Sequence, residues 1–536
     1  MPLFRASSKS EAAKDASEPA APLLPSNQPQ SNSRKSYENV LDLDDELVRG
    51  ISLTSLLAGG ARLFERHGAA AREDPTGTFA LSQQCDTLDY FCSHSWTTSR
   101  YLKYVALLVH FNLGRALIVT QIAMFGCLFA QLWFRDITPS WIWGQYPVQP
   151  DMASGLGPLG AEIMVVPVFF VVLCTAHRLS PPRSLFLDIA CIRQDSEAAK
   201  ADGIAALGAV LDRSERMLVL CDAHYFTRLW CTFELAAYTK RAGAARIDLL
   251  PLHEPLVLLS LLGDMACFIV LGAVLGVVLM AVAPELMKSD EFAAMMGTIT
   301  ILMNLPAQFF IIYAQVQAYE GRKAVAALSS FKLADAHCHS DADRAELQML
   351  IANWFTERHA GGDSGDDARR IGFHRFEQFV RHSVAPTLVS SRSYLLKLMV
   401  ATNVFASAPL FDMLCHERFT ANHVTGFAAI WIMGFALLVP SKLFVFWRSA
   451  KVVLALREKC GCHPMLAYAV GALLNILGVW GLITLFFLTG PTAVFDPTYH
   501  FPDDGLDDNG RKMLATQVGG IFTAVGGCAV AWVFDV

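Results

Sequence analysis

Glu234 is the side chain in this sequence best placed for chemistry. The stretch Met217 to Arg241 reads MLVLCDAHYFTRLWCTFELAAYTKR. Met217 to Leu220 has the length and branching of a buried strand, Thr227 is suited to cap a helix, and that helix carries Trp230, Cys231, Glu234 and Leu235. In open α/β sheets ligands bind beyond the carboxyl ends of the strands, so a carboxylate on the helix that follows such a strand stands at the crevice. Asp89 to Trp96, DYFCSHSW, reads as a second strand that ends in small polar residues, Ser93 and Ser95, at the same edge. The plain alternatives are a solvated Glu234 paired with a neighbouring Lys or Arg, and a His94 that closes a strand instead of binding phosphate.

Positioning these residues requires a sheet. SLFLDIACIRQD, Ser184 to Asp195, is another buried-strand pattern; Ile204, Leu207 and Leu211 form a helical stripe after it, and IDLLPL, Ile247 to Leu252, is a further strand. Strands alternating with helices imply a parallel sheet in an α/β fold. Between its first and second strands, however, lies an apolar excursion.

That excursion belongs to a wider pattern. With 53% hydrophobic and 17% charged residues and a mean hydropathy of +0.37, the chain is too apolar for an ordinary soluble protein, and a multi-pass membrane protein is expected. The pattern predicts a disordered tail (1–43), a helical lead-in (44–86), the first part of the α/β domain (87–112) and a transmembrane hairpin (113–177). The second part of the domain (178–255), another hairpin (256–316), a cytosolic helical segment (317–393) and a four-span region (394–536) follow, about eight spans in all. Within the lead-in, Leu47, Ile51, Leu56 and Phe64 suggest a helix weakened by Gly59 and Gly60. Trp133, Trp141, Trp143 and Tyr146 suit an interfacial aromatic belt.

Ten Lys and Arg residues between Arg178 and Arg246, against Arg135 and Lys288 in the opposite loops, put the α/β domain and both termini in the cytosol. No short apolar core precedes a cleavage site at the amino terminus, so insertion is expected to begin at the first membrane helix. The net charge of -6 comes with no basic cluster interleaved with aromatics, so nucleic acid is not an expected partner. Several of the thirteen cysteines sit inside apolar runs, where a buried thiol is the simple reading. Cys460-Gly461-Cys462-His463 and His337-Cys338-His339 are too compact to close a tetrahedral zinc site, and no metal is expected. The aspartates from Asp503 to Asp508 lack the spacing and closing Glu of a calcium loop.

Taken together, DYFCSHSW, LDIACIRQD with Gly203 and Ile204 downstream, YFTRLWCTFEL and IDLLPL resemble, in order, the Toll/interleukin-1 receptor (TIR) domain family. The matches cover well under a quarter of the chain, and YFTRLWCTFEL is the most specific. The resemblance implies a flavodoxin-like sheet, self-association or pairing with other TIR-like domains, and a role in signalling or scaffolding. In some branches it also implies cleavage of nicotinamide from NAD, as a substrate and not a resident cofactor, by the Glu that falls here on Glu234. One carboxylate suffices, because an oxocarbenium-like ribose needs a negative charge while the leaving group departs neutral. Trp230, one turn before Glu234, would wall the ribose or a base; Ser93 and Ser95 would hydrogen-bond ribose or phosphate. The chain departs from the family in the membrane hairpin at its first helix, in the missing Pro-Gly pair after the second strand, and in entering the membrane where a last strand belongs. Asp264 inside an apolar helix supports a rival, an ion or solute transporter with a regulatory cytosolic domain. A structural membrane organiser is a third reading.

Overall fold

The computed structural model describes residues 48–133, 160–282, 291–338, 365–385, 392–413 and 439–489, except 66, 67 and 223, with a few positions between 344 and 355. The expected disordered tail, the tryptophan-rich connector at 141–146, the aspartates at 503–508 and the span at 513–534 lie outside these residues, as does most of that at 424–446.

Two layers share one long helix. The first is built on a six-stranded sheet of β1 (Arg49–Ser52), β2 (Ser82–Gln84), β3 (Leu88–His94), β4 (Ser184–Phe186), β5 (Ser214–Cys221) and β6 (Ile247–Pro251), in the spatial order β2-β1-β4-β3-β5-β6. The last four of that order run parallel, and β1 and β2 are antiparallel additions at one edge. The stretches Tyr90–Cys92 of β3 and Met217–Cys221 of β5 are uninterrupted apolar runs because both faces of the sheet are covered there.

The two halves of the sequence pattern therefore meet. Phe91 pairs with Phe186 on one side and with Met217 on the other, and the Phe91 and Phe186 rings stack with centroids 5.0 Å apart. A reciprocal clamp sets this register. Ser184 donates its backbone N–H (2.7 Å) and its hydroxyl (2.9 Å) to the Asp89 carboxylate, and its hydroxyl oxygen accepts the Asp89 N–H at 3.1 Å.

The lead-in corrects one expectation. Ile51 belongs to β1, pairing with Leu185 and Ser82, and the helix α1 (Leu53–Ala61) begins only after Ser52, whose hydroxyl caps it by accepting the Ser55 N–H. Strand geometry prevails because β1 pairs with β4 on one side and β2 on the other, covering a sheet edge that would otherwise be bare. Gly59, Gly60 and Ala61 take positive φ and turn the chain sharply towards the short helix α2 (Ala69–Glu73).

The second layer is an apolar helical bundle. α3 (Arg100–Trp133) follows β3 directly. Its Ala106, Leu107 and Leu108 pack in the core of the sheet layer, whereas Val109, Leu113, Ala116 and Met124 pack in the bundle. The hairpin expected from residue 113 thus starts inside the α/β layer as one unbroken helix. α4 (Gly160–Thr175) returns along it. Among the described residues two helices are long and apolar enough to cross a membrane, in place of the eight spans expected: Arg100–Ala130 and Glu254–Leu271, with mean hydropathies of 1.7 and 1.9. Three further long helices, Glu291–Ala326, Arg392–Met413 and Pro464–Thr489, coincide with other expected spans without meeting that test among the described residues.

Truncating Phe91 to Ala removes a fully buried ring from the centre of the sheet and is expected to cost about 3–5 kcal/mol. Leu179→Ala, at a position 90% exposed, is expected to stay within about 0.5 kcal/mol. Denaturant midpoints of the two variants check the contrast.

Candidate functional site

Three neighbouring parallel strands deliver their carboxyl ends to one cleft. β3 ends in Ser93 and His94, β4 is followed at once by Asp188, and β5 leads through Tyr225 and Arg228 into α6 (Leu229–Ala242), which carries Trp230 and Glu234. The cleft has a volume of about 350 Å³, at the small end of the range for ligand sites. Glu234, Asp188, His94, Trp96 and Trp230 all line it.

Glu234 is half-buried and held by a hydroxyl relay. Ser93 Oγ donates to Glu234 Oε2 at 2.5 Å, lies 2.7 Å from the Tyr225 hydroxyl, and is itself buried; Tyr225 Oη in turn donates to the Cys231 carbonyl at 3.3 Å. Burial pushes the Glu234 carboxyl up to about 8, the Ser93 hydrogen bond opposes this, and the Asp188 carboxylate adds to it. Asp188 is raised by burial too, countered by the Ile189 N–H at 2.8 Å and by hydrogen bonding to Trp96. Burial, with Lys103 and Arg228 nearby, pushes His94 well below the ordinary imidazole range, so it stands neutral. An uncharged imidazole is a poor phosphate ligand, which favours the plainer view of His94.

The expected site residues separate accordingly. Glu234 and Trp230 line the cleft together, one turn apart on α6. Ser93 reaches the site only through Glu234, so its expected contact with ribose gives way to orienting the carboxylate. Ser95 is fully buried, with its hydroxyl 2.8 Å from that of Thr97. Its carbonyl accepts from Lys103 Nζ at 2.7 Å, and Lys103, equally buried, lies over the rings of Phe64 and Trp96. Ser95 therefore fixes the strand end and does not line the cleft.

Thr227 does not cap α6. Its hydroxyl donates to the His224 carbonyl at 2.7 Å, and extended Arg228 takes the cap position without a side-chain bond. The helix start is tied down by a distant strap instead: Leu229 N–H donates to the His337 carbonyl (2.9 Å), and His337 N–H to the Thr227 carbonyl (2.7 Å). The strap continues from the helix Glu291–Ala326 through Phe331, whose ring meets those of Phe226 and Phe376. Arg381 locks it by donating to the Phe331 carbonyl.

Asp188 is a cleft-lining carboxylate that sequence reasoning passed over. Its signal was present, a carboxylate directly after a short buried strand, the same logic that singled out Glu234. Among the described residues no group of three or more metal-ligating side chains comes together. No protein-family model, no curated protein and no solved structure matches the chain.

Between the ordinary carboxylate range and about pH 8, folded Glu234 keeps a proton that the unfolded chain releases. Stability is therefore expected to fall as pH rises through that window. Thermal unfolding followed from pH 5 to 9 checks this: the wild type should lose stability, and Glu234→Gln should lose clearly less.

Proposed function

We propose that the sheet layer is a TIR-like domain carried on a membrane bundle, that it works in signalling, and that it cleaves the glycosidic bond of NAD with Glu234 as the catalytic carboxylate. One observation carries the reading: the Glu234 carboxylate, oriented by Ser93, opens with Trp230 onto a cleft at the carboxyl ends of parallel strands. Counted from β3 in chain order, the parallel strands lie 2-1-3-4, the order of flavodoxin-like sheets as far as their fourth strand. The membrane part of the reading is supported by the outward face of α3. There Ile118, Ile122, Phe125, Phe129 and Trp133 recur at helical spacing, and all are more than half exposed. Such a stripe suits hydrocarbon better than water.

The chemistry follows from the charges. When the bond between ribose and the nicotinamide ring breaks, both electrons go to the ring nitrogen, which becomes neutral, and positive charge develops on the ribosyl carbon. An ionised Glu234 stabilises that charge, Trp230 walls the sugar, and water adds to the carbon with loss of a proton. A cationic ring beside Glu234 also favours ionisation of a carboxyl that is otherwise mostly protonated at neutral pH.

A transporter working through Asp264 has less support. Gln308 Nε2 donates to Asp264 Oδ1 at 2.7 Å, an interhelical bond that gives this carboxylate a packing role.

Incubating the detergent-solubilised chain with NAD at high protein density should release nicotinamide. Glu234→Gln should lower the rate at least a thousandfold, and equal rates would remove Glu234 from the chemistry. The wild-type kcat/KM should rise about tenfold per pH unit and level off near pH 8. Ser93→Ala, which removes the bond favouring the carboxylate, should move that plateau to higher pH.

A further inference from the structure

Three cationic side chains from separate parts of the chain line the cleft: Arg72 on α2 in the lead-in, Lys200 on α5 (Glu197–Ala205), and Arg228 at the start of α6. Several other cations of the sheet layer find carboxylates. Arg62 pairs with Glu73, Arg193 with Asp195, Arg216 with Asp248 and Arg241 with Asp212. Among the described residues none of the three cleft cations has an ion-pair partner. Converging unpaired cations repel one another, an arrangement that an anionic ligand relieves.

The remaining lining sharpens the ligand's chemistry. Trp96 and Trp230 offer ring faces, and Ile189, Ile192, Ile204 and Leu207 make an apolar wall. At neutral pH, Glu234 is mostly protonated and His94 neutral, so three positive charges face the single carboxylate of Asp188. Arg228 is also the residue whose flanking backbone the strap grips on both sides, at Thr227 and Leu229, so its position is fixed before any ligand arrives.

We infer that Arg72, Lys200 and Arg228 form a diphosphate subsite of this cleft, and that the lead-in completes it by supplying Arg72. The ligand class is a soluble nucleotide bearing a diphosphate, with its ring against the tryptophans. The inference builds on the reading of the cleft as the place where Glu234 acts, but phosphate capture needs no catalysis. An anionic lipid headgroup carries the same phosphate chemistry, and the test separates the two.

The experiment titrates inorganic pyrophosphate and ADP into the full chain in nanodiscs of zwitterionic lipid, following tryptophan fluorescence. Both should bind, ADP more tightly. Arg72→Glu, Lys200→Glu and Arg228→Glu should each weaken binding roughly tenfold or more, and Arg246→Glu, at an exposed position away from the cleft, should leave it unchanged. Arg72 is exposed, so its reversal leaves the fold intact. Pyrophosphate binding that survives all three reversals overturns the subsite, as does binding equally weakened by Arg246→Glu. Loss of pyrophosphate binding in nanodiscs of anionic lipid assigns the cations to a headgroup and overturns the nucleotide assignment. Glu234→Gln separates the two levels. If it binds pyrophosphate as the wild type does while neither protein releases nicotinamide, the subsite stands and the catalytic reading falls. If phosphate-free nicotinamide riboside is cleaved as efficiently as NAD, the catalytic reading stands and the subsite falls.

Discussion

The site exists because β3 hydrogen-bonds to strands that follow it only after a long apolar excursion. Asp89 and Ser184 are 95 positions apart, yet their three reciprocal hydrogen bonds fix the register between β3 and β4. Closing so long a loop has an entropic cost that grows only slowly with length, and the packing of α3 against α4 within the excursion shortens the effective distance further. With β3 seated between β4 and β5, Ser93, Asp188 and Glu234 converge without further adjustment.

The same pairing makes the sheet layer and the bundle mechanically continuous. α3 leaves the end of β3, buries Lys103 beneath the cleft, and runs on into the bundle core. The strap that fixes Arg228 continues from the helix Glu291–Ala326. Two elements of the bundle thus connect to the residues around the site, one through the Ser95 carbonyl and one through the backbone around Arg228. In the proposed signalling role, relative displacement of these elements would alter the cleft directly.

Much of the sheet layer was legible in the sequence because Tyr90–Cys92 of β3 and Met217–Cys221 of β5 are buried on both faces and read as apolar runs. The carboxylate logic that singled out Glu234 rests on a local pattern, a strand followed closely by a helix. The misses are of another kind. β1 and β2 are four- and three-residue strands whose only reason to be extended is a neighbour far along the chain, so no local periodicity announces them. Ser95 reads as a ligand-binding hydroxyl at the carboxyl edge of the sheet, but a lysine eight residues on draws its carbonyl into the core. Thr227 has the right type for a helix cap, yet the strap supplies the partner for the helix start, and nothing near residue 227 encodes His337. Arg72 joins the cleft by tertiary packing alone.

A double-mutant cycle on Asp89 and Ser184 tests the central claim most directly. Asp89→Ala, Ser184→Ala and the double variant would be compared by denaturant unfolding of the full chain. The account predicts a coupling energy of about 1–2 kcal/mol between the two positions, as expected for hydrogen bonds to a carboxylate. Strictly additive effects would mean that β3 and β4 are not neighbours, and the cleft built on their pairing would not form.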